Sequence, residues 1–292
     1  MSATVTTSTA TDGTQATKGV ERALSMSYLT APMRTPDLSV GVAAAAGYQH
    51  VGLRLGPVAR GDSASPMVGN ADMEAACRKR LDDHGMSVIE VEGFTISDEF
   101  DARAHLSVIE AAARLGTPTL LAVADLRGRI ALDEMIACIG RLHELAVQCG
   151  LRVAFEPIAH RVGGSLQEAL RVAMETGAGL ALDMLHLDRM GVTPAQVAGI
   201  DRSRIHAIHL CDAPTAPPDL DTMIRHSAAE RELPGDGVLP IRPYLDALPD
   251  DLPLSVEIPC EHKRGSSTPL ARARQCHAAA RAFLAGTART SR

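Results

Sequence analysis

Eight times along the chain a short apolar run gives way to an amphipathic stretch, and this alternation limits the fold more than any other feature. The β-like runs fall near 24–30, 50–55, 87–93, 119–124, 152–157, 179–183, 205–211 and 253–258. Helical patterns fall near 37–46, 72–84, 101–115, 132–149, 165–176, 194–199, 240–248 and 269–285. Gly47, Gly85, Gly116, Gly150 and Gly177 each close a helical stretch just before the next run, where a left-handed residue ends a helix. Ser165-Leu166-Gln167-Glu168 reads as a capping box, and Thr193-Pro194 and Thr268-Pro269 place a capping hydroxyl before a proline. Repeated βα units predict an α/β protein, a single closed (β/α)8 TIM barrel over residues 21–288. The rival, an open doubly wound sheet, normally carries a glycine-rich phosphate loop, and neither GxGxxG nor GxxxxGK[ST] occurs. Residues 1–20, rich in Ser, Thr and Ala, read as a disordered tail without the apolar block of a secretory signal.

Four runs end on a polar group that could carry chemistry. Val153-Ala154-Phe155 ends on Glu156, Leu180-Ala181-Leu182 on Asp183, Ala207-Ile208 on His209 and Ser255-Val256 on Glu257. In a barrel of this kind the active site lies at the C-terminal ends of the strands. Side chains alternate along a strand, so the small Ala154, Ala181, Ala207 and Ser255 share the inward face with these ends. The bulky Phe155, Leu182, Ile208 and Val256 face the helices. Three carboxylates converging on one barrel mouth repel one another unless a cation joins them. Three carboxylates and an imidazole suit one divalent ion, Mn²⁺ foremost, with Mg²⁺, Co²⁺ or Zn²⁺ as alternatives.

The matching pieces FEP (155–157), LDMLH (182–186), IHLCDA (208–213), RELPGDG (231–237) and SVEIP (255–259) resemble the xylose isomerase-like TIM-barrel superfamily, in its sugar phosphate isomerase/epimerase group. That resemblance implies that Glu156, Asp183, His209 and Glu257 hold the metal and that Glu156 and Glu257 also move the proton. It implies further that His186 contacts substrate oxygen and that Arg231 reaches the site. The implied activity is a metal-dependent isomerase or epimerase of a sugar or keto-sugar, working through an enediolate. The same enolate chemistry serves a dehydratase (lyase) of a 3-dehydroshikimate-like or inosose-like substrate.

Further candidates come from position in the chain. Arg54 ends the second strand and His160 and Arg161 follow Glu156, so all three are candidates for substrate contact. Glu90 and Glu92 share a parity on the third strand, which sets one lower in the barrel and lets the other line the site. Asp212 is placed to orient a neighbour, His206 to pack, Asp188 and Arg189 to pair in a loop, and Lys263 to stand in a solvated loop. Phe94 and Phe100 are the aromatic residues nearest the catalytic ends, fewer than sugar epimerases use for stacking. Residues 213–239 form a long catalytic-face loop carrying Pro217-Pro218 and Arg231, a lid or specificity element.

Charge and cysteine usage narrow the class. A net charge of −6 argues against a nucleic-acid partner and hence against an apurinic-site endonuclease on the same barrel. No apolar run approaches the ~20 residues of a membrane span. Six cysteines without a CxxC pair fit free thiols in the cytoplasm. The expected partner is a small-molecule substrate, and a homo-oligomer is compatible with the sequence. A barrel kept only for binding would have no need of all four metal donors.

Overall fold

The structure is a computed structural model and describes residues 22–57, 62–215, 219–259 and 267–286. The tail at 1–20, Pro217, Pro218 and Lys263 lie outside the described residues. The strands are β1 (Leu24–Met26), β2 (His50–Arg54), β3 (Ser87–Ile96), β4 (Thr119–Ala124), β5 (Arg152–Glu156), β6 (Gly179–Asp183), β7 (Ile205–Leu210) and β8 (Leu254–Val256). Each pairs in parallel with the next, and β1 pairs with β8, so the sheet closes into a barrel. The helices between and after the strands are α1 (Pro36–Ala46), α2 (Ala71–His84), α3 (Leu106–Arg114), α4 (Leu132–Gln148), α5 (Leu166–Thr176), α6 (Met184–Arg189), α7 (Pro194–Ala198), α8 (Leu220–Ala228), α9 (Ile241–Ala247) and α10 (Pro269–Leu284). The predicted fold is therefore the observed one. Among the described residues no helix is long and apolar enough to cross a membrane. Cys77, Cys138, Cys149, Cys211 and Cys276 are free thiols.

The local signals act as the sequence implies. All five predicted helix-closing glycines take a positive φ. The Ser165 hydroxyl accepts from the Glu168 backbone N–H and bonds the Glu168 carboxylate at 3.0 Å. Thr193 and Thr268 cap their helices.

Side-chain parity sorts the strands into two layers of packing. Leu121, Ala154, Ala181 and Ala207 form a small cluster of their own inside the barrel. Phe155, Leu182, Ile208 and Val256 belong to the larger core between strands and helices. A Cβ on Gly163 would stand 2.7 Å from the Phe155 ring and 2.8 Å from Met135 of α4, which fixes the outward direction of Phe155. Small residues inside leave room above them for the polar strand ends.

Several boundaries differ from the sequence reading, each for a local reason. Strand β3 continues to Ile96, past the predicted end at 93, because Gly93 forms an irregularity at φ 113° and pairing with β4 resumes at Phe94. The helix expected over 101–115 divides into a 3₁₀ turn at Ala102–His105 and α3 at Leu106–Arg114. Asp188 and Arg189 pair as expected, but in helix α6 and not in a loop. Segment 213–239 contains α8, and its Glu232 forms an antiparallel bridge with Asp212 just before it.

Candidate metal centre

Glu156 is the last residue of β5 and Asp183 the last of β6. His209 lies on β7, and Glu257 directly follows β8. All four are buried, and one ligand atom from each lies within 4.8 Å of all the others. Ligands on opposite sides of an ion bound at about 2.0–2.4 Å stand about 4–5 Å apart, so this donor set fits one divalent ion. Three carboxylates enclosed together carry more negative charge than the one guanidinium beside them, Arg231, offsets, and a divalent ion suits the remainder.

The imidazole of His209 is fixed on both sides. Its Nδ1 faces the cluster, 2.7 Å from Glu257 Oε2, 3.2 Å from Glu156 Oε1 and 4.0 Å from Asp183 Oδ2. Its Nε2 lies 3.1 Å from Glu90 Oε2. Glu90 is fully buried beneath the site, rests against Gly52 and accepts a hydrogen bond from the Ser255 hydroxyl at 2.5 Å. A carboxylate that accepts from one ring nitrogen leaves the other nitrogen's lone pair for a metal. Glu90 thus does more than sit lower than Glu92. The only sequence signal for this was a carboxylate at an inward position of an apolar strand.

Asp183 uses its two oxygens differently. Oδ1 accepts the backbone N–H groups of Leu185 and His186, capping α6. Oδ2 accepts Arg231 Nη1 at 2.6 Å. Arg231 is 2% exposed and also donates to the Ser227 carbonyl from Nε and Nη2. The sequence reading takes Arg231 as a substrate contact. In the structure its guanidinium is anchored on a candidate metal ligand while still lining the cavity above.

Asp212 organises the turn that delivers Arg231. Its carboxylate accepts the backbone N–H groups of Ala213, Gly235, Gly237 and Leu239. A Cβ on Gly237 would lie 2.3 Å from both Asp212 Oδ1 and the Ala213 carbonyl, so the PGDG turn requires glycine there. The bridge from Asp212 to Glu232 then places Arg231 under the site.

Charge in this enclosed volume is redistributed strongly. Burial pushes the Glu156 carboxyl above the ordinary range, against the pull of His209. Burial acts upward on Glu257 too, but Arg231 and His209 outweigh it and hold the carboxyl at about 2. Burial works against a charged His209, yet Glu90 and Glu257 raise its proton affinity well above the usual imidazole value. A proton on Nδ1 and a divalent ion therefore compete for the same carboxylates. His186 lies in α6 with Nε2 3.3 Å from the Ser227 hydroxyl, and burial lowers its pKa to about 3, so it is neutral.

A cavity of about 270 Å³ opens above the cluster. Glu156, Glu257, His209, His186 and Arg231 meet it on one side, and Arg54, Glu92, Thr95 and Arg161 on the other. Apolar wall is supplied by Leu29, Leu121, Val123 and Ile158. Arg54 pairs with Glu92 at 2.9 Å and lies over the Tyr28 ring at 4.3 Å. Burial outweighs that pairing and pushes Glu92 up to about 7. His160 stacks edge-on to His186 at 6.4 Å, one step back from the cavity. Phe94 and Phe100 pack around His105 and do not line it. His206 packs against Gly179 on the outer side, with Nδ1 3.2 Å from the Val153 carbonyl.

A family model described as a xylose isomerase-like TIM barrel matches residues 40–282. A search of curated protein sequences returns no match. The IolI protein with a bound zinc atom superposes with a TM-score of 0.73 at 16% identity, covering 91% of this chain and 99% of that one. The probable 3-DHS dehydratase AsbF of Bacillus anthracis gives 0.66 at 14% identity over 86% and 97%. A D-allulose 3-epimerase from Methylomonas sp. in complex with D-allulose gives 0.65 at 14% identity over 91% and 97%. At these identities the structural likeness establishes the fold alone.

Proposed function

The chain belongs to the xylose isomerase-like TIM-barrel family, and from that premise we propose a divalent-metal-dependent isomerase or epimerase that moves a proton beside the carbonyl of a sugar or keto-sugar through an enediolate. The observation that carries this reading is the meeting of Glu156, Asp183, His209 and Glu257 in one buried cluster open to a single cavity. An ion held there supplies Lewis-acid stabilisation of negative charge developing on a substrate oxygen. The oxygen-rich donor set favours Mn²⁺.

The protein's own groups then divide the work. Glu156 and Glu257 both line the cavity and are the two carboxylates that take a proton from carbon and return it, one on each face of the enediolate. Neutral His186, braced by Ser227, offers a hydrogen bond to a substrate oxygen. Arg231 fixes Asp183 and presents positive charge at the cavity floor. Helix α8 brings Ser227 and Ala228 to the cavity, so segment 213–239 forms one wall of the substrate site. We place residues 21–288 in one barrel domain and, from the free thiols, the protein in the cytoplasm.

A second reading, a dehydratase of a cyclic hydroxy-ketone acid, draws on one observation. Among the described residues no aromatic ring lines the cavity, so stacking on a sugar face is not provided for. The test is to incubate Mn²⁺-loaded protein in deuterated water with a panel of ketoses and, separately, with 3-dehydroshikimate. Exchange of a substrate C–H with solvent, without a new aromatic dihydroxybenzoate absorbance from 3-dehydroshikimate, is expected. Aromatic absorbance without exchange in the ketoses moves the assignment to the dehydratase, and neither signal contradicts both.

A further inference from the structure

Three buried polar atoms without a hydrogen-bond partner share one wall of the cavity, opposite His186, whose Nδ1 is also unpartnered. Arg161 Nε, Thr95 Oγ1 and Arg54 Nε are all buried and unsatisfied, and all three residues line the same space. Such atoms are rare in folded proteins because each costs its desolvation without return. Their convergence on a cavity beside a metal centre marks a place where a ligand supplies the missing partners.

The three are held in position by the fold. Arg161 follows β5 in a tight loop, its backbone N–H on the Ile158 carbonyl, and its Nη1 donates to the Ala124 carbonyl at the end of β4. Thr95 stands in the part of β3 beyond the Gly93 irregularity, beside Val123 of β4. Arg54 ends β2 and donates to Glu92 at 2.9 Å. Arg161 differs from every other arginine at the cavity: Arg54 pairs with Glu92 and Arg231 with Asp183, while no described carboxylate pairs with Arg161. Asp125 and Glu156 act on it only at longer range. A guanidinium enclosed without a counter-ion calls for a planar, bidentate anionic partner. One uncompensated charge in a partly apolar cavity of about 270 Å³ matches a carboxylate better than a phosphate dianion.

We propose that Arg161 and Thr95, flanked by Arg54, form a carboxylate subsite, so that within the proposed sugar and keto-sugar class the preferred substrate carries a carboxylate, as a sugar acid or a polyhydroxy keto acid. This rests on the reading of the four-residue cluster as the catalytic centre. Arg54 adds a further donor beside the subsite, its Nε free of any partner while Nη2 holds Glu92. The carboxylates of Glu156 and Glu257 belong to the cluster, so the acid end of the substrate is directed to Arg161 and the reacting carbon to the cluster.

The test uses matched pairs that differ in a carboxylate: quinate and myo-inositol, hydroxypyruvate and dihydroxyacetone, 5-keto-gluconate and fructose. Binding to Mn²⁺-loaded wild type, R161Q and R161K is measured by calorimetry. Wild type should favour the carboxylate member of at least one pair by about tenfold or more, the size of a charge-assisted hydrogen bond. R161Q should lose that preference while its affinity for the neutral member and its metal content stay unchanged, and R161K should restore part of it. No preference in any pair, or a preference that survives R161Q, overturns the proposal. The same pairs measured on the E156Q variant separate the two claims. An acid preference that persists without bound metal leaves the subsite standing, whereas a wild type that binds no ion removes the catalytic reading only.

Discussion

The two halves of the barrel mouth solve opposite problems. On the β5–β8 side each donor of the cluster has a fixed counterpart: Asp183 with Arg231 and two backbone N–H groups, His209 with Glu90, Glu156 with His209, Glu257 with Arg231 and His209. On the β2–β4 side, with Arg161 reaching across from the β5 loop, Arg54 Nε, Thr95 Oγ1 and Arg161 Nε are left waiting, while opposite them the atom so left is Nδ1 of His186, which is not one of the four donors. The first arrangement holds geometry without a ligand, as electrostatic preorganisation requires. The second is completed only when a ligand arrives, as selective recognition requires. Stability and specificity are thus assigned to different strands of one sheet.

That contrast can be broken by the same measurement on both sides. Arg231→Ala leaves the Asp183 carboxylate buried without its cation, and removing one partner of a buried pair costs about 3–5 kcal/mol. Denaturant unfolding of the metal-free protein should show a loss of that order. Arg161→Gln removes an enclosed charge that pairs with no described carboxylate, so stability should hold or rise and not fall. Equal losses would show that the open side is as structural as the closed one.

A smaller effect separates support from ligation within the closed side. Glu90 touches no substrate and is not in the donor set, but it fixes the ring of His209. Glu90→Gln keeps the shape and still offers an acceptor, yet removes the charge that makes Nδ1 a better ligand. Metal affinity should fall by about 10–100-fold, read by competition with a chromophoric chelator, with the fold intact by circular dichroism. An unchanged affinity would make Glu90 a packing residue after all.

The sequence showed the closed side far better than the open one, for physical reasons. Glu156, Asp183 and His209 end long apolar runs at inward parity, and Ala154, Ala181 and Ala207 below them carry the same period. Glu257 follows a strand of only three residues, but Ser255-Val256 kept the parity readable. Thr95 was hidden because Gly93 ends the apolar run by eye, whereas β3 absorbs the glycine as an irregularity and continues. The partnership of Glu90 with His209 spans 119 positions of chain, and no local pattern encodes a contact across a barrel. The anchoring of Arg231 on Asp183 depends on the Asp212 turn, which also lies beyond the reach of periodicity. His186 was placed after its strand and lies on a short helix that Asp183 itself begins, so one residue serves as both cap and candidate ligand.

The most direct test is a calorimetric titration of Mn²⁺ into metal-stripped wild type and into Asp183→Asn. Wild type should bind one ion per chain, and Asp183→Asn should bind none at the same concentrations while remaining folded. Equal binding by both proteins, or none by wild type, would contradict the assignment of Glu156, Asp183, His209 and Glu257 as a metal centre.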